Sequence, residues 1–350
     1  MGAGIIGLSL ARELRKRNRS VLVVERGEPG HEASRAAAGM LVASGNETPD
    51  ELKDLAAASA QMYPEFAHEL EDESGVSVDL RSEGTILLAN QNHKPSNSSS
   101  NALTKAELAT LEPNLLAPPS TEAVLLDERS VDPRALVEAT LKACKHRDVE
   151  IASGALVVSI DVERSRVAGV TTAQTRYFSP IVVNCAGAWA GQVSPYNIPT
   201  RPVKGQMLAV ALPTRTFLHH VVRSPEVYLV PRSNGRLLVG ATVEEAGFDK
   251  RTDAATIHRL HHAALTLVPG LEEARILEDW AGLRPGTPDG LPILGATSTQ
   301  GYFVAAGHFR DGILLAPVTA RLMGQAISGE KSALDISRFS PQRFLAEAAS

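Results

Sequence analysis

The residues with the clearest chemical meaning open the chain, where Gly2, Gly4 and Gly7 follow the pattern G-x-G-x-x-G. Glycines at this spacing let a backbone turn approach a pyrophosphate, which the N–H groups and dipole of the following helix then stabilise. Glu25 lies 23 positions after Gly2, where its carboxylate could accept hydrogen bonds from a ribose diol. That carboxylate would repel a 2′-phosphate, so the pattern favours a dinucleotide other than NADP. The alternative is a tight turn in another kind of α/β domain.

A second segment of chemical interest is 307–317, which leads from an apolar run through a glycine-containing loop into another apolar run. Asp311 is a candidate helix N-cap, and Pro317 is tolerable only near a helix start, where its missing N–H is not needed. A helix N-terminus aimed at the N1/C2 region of a flavin would stabilise the negative charge of the reduced ring. The segment therefore favours FAD over NAD, with an ordinary strand-to-helix loop as the alternative.

Two kinds of pattern predict the elements that position these segments. Leu8, Ala11 and Leu14 form an apolar stripe at helical spacing directly after the glycine turn. Short, continuously apolar runs, as in parallel strands buried on both faces, occur at 21–24, 181–185 and 302–306. An antiparallel sheet is predicted by a hairpin with an Asn-Gly turn and by two further runs, at 227–231, 236–240, 84–88 and 202–210.

These elements predict an α/β fold with a Rossmann-like FAD-binding domain that is discontinuous in sequence. The second domain is predicted to be α+β, with a mostly antiparallel sheet that binds substrate. We predict the FAD-binding domain at 1–80, 131–198 and 280–350, and the substrate-binding domain at 81–130 and 199–279.

A glycine turn of this kind normally follows a buried strand, yet only Met1 precedes it. We therefore expect the first strand of the FAD-binding domain to be truncated in this sequence.

Composition and charge argue against several classes of protein. The net charge of −5 gives no electrostatic case for a nucleic-acid partner. No apolar run reaches the roughly 18 residues of a membrane span, so no membrane partner is expected. Cys144 and Cys185 cannot form a disulfide framework, which favours a cytoplasmic location. The histidines lack metal-ligand spacing, so no metal is expected.

Two polar segments are interpreted as surface features. The basic residues of 12–17 are interpreted as a solvated helix face, and 90–101 as a mobile surface loop.

Several motifs together resemble the D-amino-acid-oxidase-type FAD-dependent oxidoreductases, and within them the glycine oxidase group of thiamine biosynthesis. The motifs are GAGIIGLSLA, VVERGEPGHEASRAAAGML, RPVKGQ, YLVPRSNGRLLVGAT, WAGLRPGTPDGLPILG and GHFRDGILLAP. The resemblance implies a two-domain flavoenzyme that oxidises glycine or another small amino acid to the imine and 2-oxo acid. It further implies reduction of O2 to H2O2, use of the imine in thiazole formation, and a possible homotetramer.

The resemblance also assigns site residues, position by position. It implies that FAD is bound by Gly2, Gly4, Ile5, Ile6, Gly7, Glu25, Arg26, Ala33, Ser34, Ala38, Gly39, Met40, Val157, His308, Phe309, Arg310, Asp311, Gly312, Ile313 and Leu314. It implies substrate contacts from Tyr228, Arg284 and Arg310, where Arg284 could hold a carboxylate through a bidentate fork. No catalytic side chain is required beyond the flavin. Glu226 and Val243 would form the pocket wall, which leaves the size of the substrate open.

Three other functions stay open from the sequence. One is an FAD-dependent dehydrogenase or oxidase of sarcosine, proline or D-amino acids. Another is a truncated remnant without catalytic activity, and the third is an NAD-dependent dehydrogenase. The last does not explain the second cofactor-like segment around Arg310.

Overall fold

The computed structural model describes residues 1–43, 48–89, 102–118, 121–332 and 334–344, so the predicted loop at 90–101 lies outside the described residues. The helices are α1 (Ile5–Lys16), α2 (Ala33–Ala36), α3 (Asp50–Ser74), α4 (Lys105–Leu111), α5 (Pro133–His146), α6 (Ala254–Leu267) and α7 (Ala316–Ser328). The strands are β1 (Leu22–Val24), β2 (Met40–Leu41), β3 (Thr85–Ala89), β4 (Ala102–Leu103), β5 (Glu122–Leu126), β6 (Arg129–Ser130), β7 (Glu150–Ala152), β8 (Val157–Glu163), β9 (Arg166–Thr172), β10 (Arg176–Phe178), β11 (Val182–Asn184), β12 (Arg201–Ala211), β13 (Val221–Arg223), β14 (Tyr228–Pro231), β15 (Arg236–Gly240), β16 (Ile276–Gly286), β17 (Ile293–Ala296) and β18 (Tyr302–Ala306).

The three predicted apolar strands are confirmed as β1, β11 and β18, and each has a parallel neighbour. β1 pairs with β7 and β11 pairs with β18, while β17 adds an antiparallel strand to the second pair. The first two residues lie between these two groups of strands. The Gly2 N–H donates to the Val24 carbonyl at 2.9 Å, and the Cys185 N–H donates to the Met1 carbonyl at 2.9 Å. The glycine turn is thus held by main-chain hydrogen bonds to both β1 and the end of β11.

A larger sheet contains the strands predicted for the second domain. Its strand order is β16-β12-β15-β14-β13-β3-β5-β4, and every pair is antiparallel except β13 with β3. The hairpin predicted from the Asn-Gly turn is β14 and β15, with Tyr228 opposite Gly240. The fold is therefore the predicted mixed α/β class with a mostly antiparallel second sheet.

Two main groups of buried apolar side chains lie on either side of the predicted domain boundaries. One group joins α1, α3, α5 and α7, and includes Leu10 and Leu314. The other joins the larger sheet to α6, and includes Leu229 and Leu260. The boundaries themselves stay a prediction. In the part of the chain that the structure describes, no helix is both long and apolar enough to cross a membrane.

The interpretation of 12–17 as a solvated helix face is wrong at Arg12. This side chain is only 3% exposed, because α3 covers it and supplies two carboxylates. Its guanidinium contacts Glu69 at 2.8 Å and Glu73 at 2.5 Å. The charged stripe on α1 is therefore in part a buried junction between helices.

The interpretation of Asp311 as a helix N-cap is also wrong. Helix α7 begins at Ala316, with Leu315 as its N-cap, and Pro317 lies in its first turn as predicted. The Asp311 N–H donates to the His308 carbonyl at 2.9 Å, and the Leu315 N–H donates to the Asp311 carbonyl at 2.8 Å. The segment after β18 therefore forms consecutive turns before the helix starts.

Candidate active site

A cavity of about 1520 Å³ is lined by residues of both the parallel layer and the larger sheet. Gly4 at the start of α1 and Gly312 after β18 both line it, although they are far apart in the sequence. The predicted site residues in its wall are Gly2, Gly4, Ile5, Ile6, Glu25, Arg26, Ala33, Ser34, Ala38, Gly39, Met40, Val157, Tyr228, Arg284, His308, Phe309, Arg310, Asp311, Gly312 and Ile313. The fold thus brings both sequence segments into one space.

Two predicted cofactor residues, Gly7 and Leu314, lie outside this wall. Gly7 packs beneath the glycine turn, where an added Cβ would overlap the Gly2 carbonyl oxygen. Leu314 is buried in the helical core, and its carbonyl accepts a hydrogen bond from Ser59 Oγ at 2.6 Å. Both residues shape the wall from behind and do not line it.

The glycine turn is shaped so that only small residues fit. Gly2 has φ +93°, and an added Cβ would overlap the Cys185 carbonyl oxygen. Gly4 is the N-cap of α1 and has no side chain to cap the helix, and Gly4, Ile5 and Ile6 line the cavity. The Ile5 N–H donates to Ser34 Oγ at 2.9 Å. Such a turn with a helix N-terminus behind it fits a pyrophosphate.

Glu25 follows β1 and is fixed at the cavity wall by the backbone. Its Oε2 accepts from the Ala3 N–H at 2.7 Å, and its Oε1 accepts from the Gly27 N–H at 2.9 Å. These bonds orient the carboxylate next to the glycine turn, where a ribose is expected to follow a pyrophosphate. The carboxylate position therefore fits the predicted dinucleotide.

Trp189 is a wall residue that the sequence reasoning missed. The Arg26 guanidinium lies 3.6 Å from the centre of its indole ring, and Arg26 also donates to Glu32 Oε1 at 2.6 Å. Trp189 lies in the short 3-10 helix Gly187–Gln192 after β11. The sequence feature that could have pointed to Trp189 was the predicted strand at 181–185, which leads into Gly187.

The segment after β18 forms the opposite part of the wall. Phe309 has φ +46° and its N–H donates to the Pro285 carbonyl at 2.9 Å, which ties the segment to the end of β16. Burial lowers the pKa of His308 to about 3. His308 is therefore neutral at physiological pH, and its Nε2 lies 3.1 Å from Thr319 Oγ1. This histidine holds the segment onto α7 and carries no charge into the cavity.

Arg284 and Tyr228 project into the cavity from the larger sheet. Arg284 Nη1 donates to the Thr242 carbonyl at 3.0 Å and to the Lys204 carbonyl at 3.4 Å, so the main chain holds one arm of the guanidinium. Burial lowers the pKa of Arg284 from its usual value, although a guanidinium stays protonated at neutral pH. Burial raises the pKa of Tyr228, and the nearby charges of Arg284 and Arg310 oppose this shift. The tyrosine therefore keeps its hydroxyl proton beside two cations, and in the structure it donates this proton to Met207 Sδ at 3.5 Å.

Two glycines of the larger sheet make room for these side chains, and the sequence reasoning assigned neither of them. An added Cβ at Gly205 would overlap the Arg284 guanidinium, and one at Gly240 would lie 2.7 Å from the Tyr228 hydroxyl. Gly205 on β12 is aligned with Gly282 on β16, two residues before Arg284, and Gly240 on β15 is opposite Tyr228 on β14. Their motifs, RPVKGQ and LLVGAT, were visible, but the strand pairing that gives them this role was not.

The wall as a whole suits a long cofactor and a small anionic ligand. The end near the glycine turn has backbone N–H groups, small residues and the Glu25 carboxylate. The end near Arg284 and Tyr228 has guanidinium and phenol donors. The uncapped start of α1 at Gly4, with Gly4, Ile5 and Ile6 in the cavity wall, is the observation that fits the pyrophosphate of a flavin dinucleotide. The donors of Arg284 and Tyr228 fit a carboxylate held near the flavin end.

Comparison with known proteins gives one consistent family. The model for the DAO family, described as FAD dependent oxidoreductase, matches residues 1–326. The chain is 34% identical to the glycine oxidase of Geobacillus kaustophilus, over 99% of this chain and 96% of that protein. The crystal structure of glycine oxidase from that organism superposes with a TM-score of 0.91 at 33% identity, covering 98% of this chain and 97% of that one.

A second kind of relative is longer. The chain is 36% identical to the bifunctional protein ThiO/ThiG of Synechocystis sp., over 99% of this chain but only 53% of that protein. The chain thus spans about half the length of this relative. The chain belongs to the DAO family and is an FAD-dependent amino-acid oxidoreductase.

Proposed function

We propose that this protein oxidises glycine, or another small amino acid, to the imine and transfers the electrons to O2. The observation that carries this proposal is the position of Arg284 and Tyr228 in the same cavity wall as the glycine turn and the 308–313 segment. The glycine oxidase of Geobacillus kaustophilus, which is similar over nearly its full length, supports glycine as the substrate.

The cofactor would be held mainly by main-chain groups. The turn at Gly2 and Gly4 would face the pyrophosphate, Glu25 the adenosine ribose, and residues 308–313 the flavin. FAD supplies a hydride acceptor at its isoalloxazine ring when it is bound. The protein's own part is to bind, orient and exclude water.

The substrate would be held by its carboxylate. The other arm of the Arg284 fork and the Tyr228 hydroxyl would donate to the two carboxylate oxygens, and Arg310 would add a second positive charge. Because two guanidinium groups lie close by, the pKa of a substrate ammonium group should fall on binding. The amine then loses its proton to solvent before oxidation, and no side chain of the protein has to remove it.

The overall change balances with O2 as the oxidant and water as the second co-reactant. The Cα–H bond breaks with its electron pair, and the amine nitrogen forms a double bond to Cα with loss of one proton. Water converts the imine to the 2-oxo acid and ammonia, while O2 takes up two electrons and two protons to give H2O2.

We also propose that imine that is not hydrolysed is used in thiazole synthesis for thiamine, which the similarity to the bifunctional protein ThiO/ThiG supports. A homotetramer stays a prediction from the family resemblance, and a cytoplasmic location stays a prediction from the cysteine content.

The experiment is a substrate panel on FAD-loaded protein. Glycine, sarcosine, D-alanine and L-proline are compared at equal concentration for H2O2 release and for reduction of an artificial electron acceptor. We expect peroxide release, with glycine or another small amino acid giving the highest kcat/KM. Reduction of the acceptor without peroxide would replace the oxidase with a dehydrogenase, and no turnover of any amino acid would overturn the proposal.

A further inference from the structure

Arg232 is a charged side chain that the candidate site does not account for. It follows β14, the strand that carries Tyr228, and it is only 1% exposed. Arg232 does not line the cavity. A guanidinium is costly to bury, so its position behind the cavity wall requires a reason.

The contacts of Arg232 are directed at the main chain of the cavity wall. Its Nη2 donates to the Ala38 carbonyl, and its Nη1 lies 3.5 Å from Ser130 Oγ. Its Nε has no hydrogen-bond partner among the residues that the structure describes. No carboxylate of those residues forms an ion pair with it. The main hydrogen-bond partner of the buried guanidinium is therefore the carbonyl oxygen of Ala38.

The Ala38 carbonyl belongs to the short segment 38–41, which contains Gly39 and the two-residue strand β2. Gly39 has φ +79°, and an added Cβ there would lie 2.9 Å from Arg232 Nη2. The Val131 N–H donates to the Gly39 carbonyl at 2.9 Å, and β2 is paired with β6 over only two residues. Ala38, Gly39 and Met40 all line the cavity. Without the guanidinium, the Ala38 carbonyl would be left in a buried place without this donor.

We propose that Arg232 is a positioning residue for the cofactor: it fixes the Ala38 carbonyl and thereby holds residues 38–40 against bound FAD. It also joins this part of the wall to the strand that carries Tyr228, so one buried side chain links the cofactor end to the substrate end. The inference rests on the proposed role of 38–40 at the flavin. It does not depend on which amino acid is oxidised.

Burial lowers the pKa of Arg232 to about 10, and the more distant carboxylates of Asp132 and Asp79 oppose this shift. The side chain is therefore still charged at neutral pH. A charged donor makes a stronger hydrogen bond to a carbonyl than a neutral donor does. Lysine at this position would keep the charge but lose the planar fork that reaches both Ala38 and Ser130.

The test compares Arg232→Met and Arg232→Lys with the matched control Arg12→Met. Arg12 is similarly buried, at 3% exposed, but it is ion-paired to Glu69 and Glu73 and does not line the cavity. Each apoprotein is titrated with FAD to obtain the dissociation constant, and its melting temperature is measured without FAD. The visible spectrum of bound flavin is recorded for each variant.

We expect Arg232→Met to weaken FAD binding about tenfold or more, since a hydrogen bond from a charged group is lost. Arg232→Lys should lie between this variant and the wild type, with a partly restored flavin spectrum. Arg12→Met should lower the melting temperature and leave FAD binding within about twofold of the wild type.

Two results would overturn the inference. One is FAD affinity within twofold of the wild type for Arg232→Met, or for Arg232→Lys if the methionine variant does not fold. The other is an equal loss of affinity in Arg12→Met, which would assign Arg232 a general structural role. Failure of the proposed function would be seen separately, as wild-type protein that binds FAD but turns over no amino acid.

Discussion

The two ends of the cavity are lined by different kinds of groups. At the proposed cofactor end the wall consists largely of main-chain atoms and small residues, with Gly2 and Gly4 at the start of α1 and Ser34 bonded to its first turn. At the proposed substrate end the wall carries long side chains from separate strands, with Tyr228 on β14 and Arg284 on β16. The difference indicates that a substitution at one end should change one property and leave the other nearly intact.

Arg284→Ala is expected to have the largest effect, and only on the substrate end. Loss of charge-assisted hydrogen bonds of about 1.5–3 kcal/mol should lower kcat/KM for glycine by roughly tenfold to more than a hundredfold. Arg284→Lys should recover only part of this loss because lysine lacks the fork. Steady-state kinetics gives the first number and FAD titration gives the control. A large loss of FAD affinity in Arg284→Ala would break the separation of the two ends.

Gly205→Ala tests whether space, as well as charge, sets the substrate end. A methyl group there would overlap the Arg284 guanidinium and displace it. We expect displacement of the guanidinium to lower kcat/KM about tenfold, which corresponds to about 1.4 kcal/mol of lost transition-state stabilisation, with FAD binding unchanged. Gly286→Ala on β16 is the matched control, since its added Cβ would lie 3.1 Å from Val203 Cγ2 and away from Arg284. Equal effects in the two variants would show that Gly205 has no special role.

Glu25→Gln is the corresponding change at the cofactor end. The amide keeps the shape of the side chain but replaces one of the two oxygens that accept from Ala3 and Gly27. A hydrogen bond to a charged group contributes about 1.5–3 kcal/mol, so FAD affinity should fall about tenfold. With FAD at saturation, KM for glycine should stay near the wild-type value. A changed KM with unchanged FAD affinity would be the opposite of what the site predicts.

The smallest expected effect is in the acid stability of the helices behind the cofactor end. Burial opposes ionisation of Glu73, but hydrogen bonds from Arg12 and Arg147 outweigh it and lower the pKa of Glu73 to about 2. A carboxyl whose folded pKa is depressed stabilises the fold above its unfolded pKa of about 4.5, and this contribution disappears as pH falls toward 2. Melting temperature measured from pH 7 to pH 3 should therefore fall less steeply in Glu73→Gln. The Arg284 variants should keep the wild-type slope.

The same contrast explains what the sequence could reveal. The glycine turn, Glu25 and strands β1, β11 and β18 were predictable because spacing along the chain determines them. The roles of Gly205 and Gly240 were not, because they depend on register between strands that are distant in sequence. Asp311 was misjudged as an N-cap since turns continue to Leu315, and Arg12 was misjudged because a helical charge pattern does not show which helix covers it.

We propose that Arg284 holds a carboxylate against FAD that is bound at the glycine turn. The most direct measurement is a titration of the FAD-loaded protein with acetate, a carboxylate that carries no amine to oxidise, followed by the visible absorption of the flavin. We expect a saturable change in the flavin spectrum that is lost or shifted to much higher acetate concentration in Arg284→Ala. An unperturbed spectrum, or the same titration curve in wild type and Arg284→Ala, would contradict it.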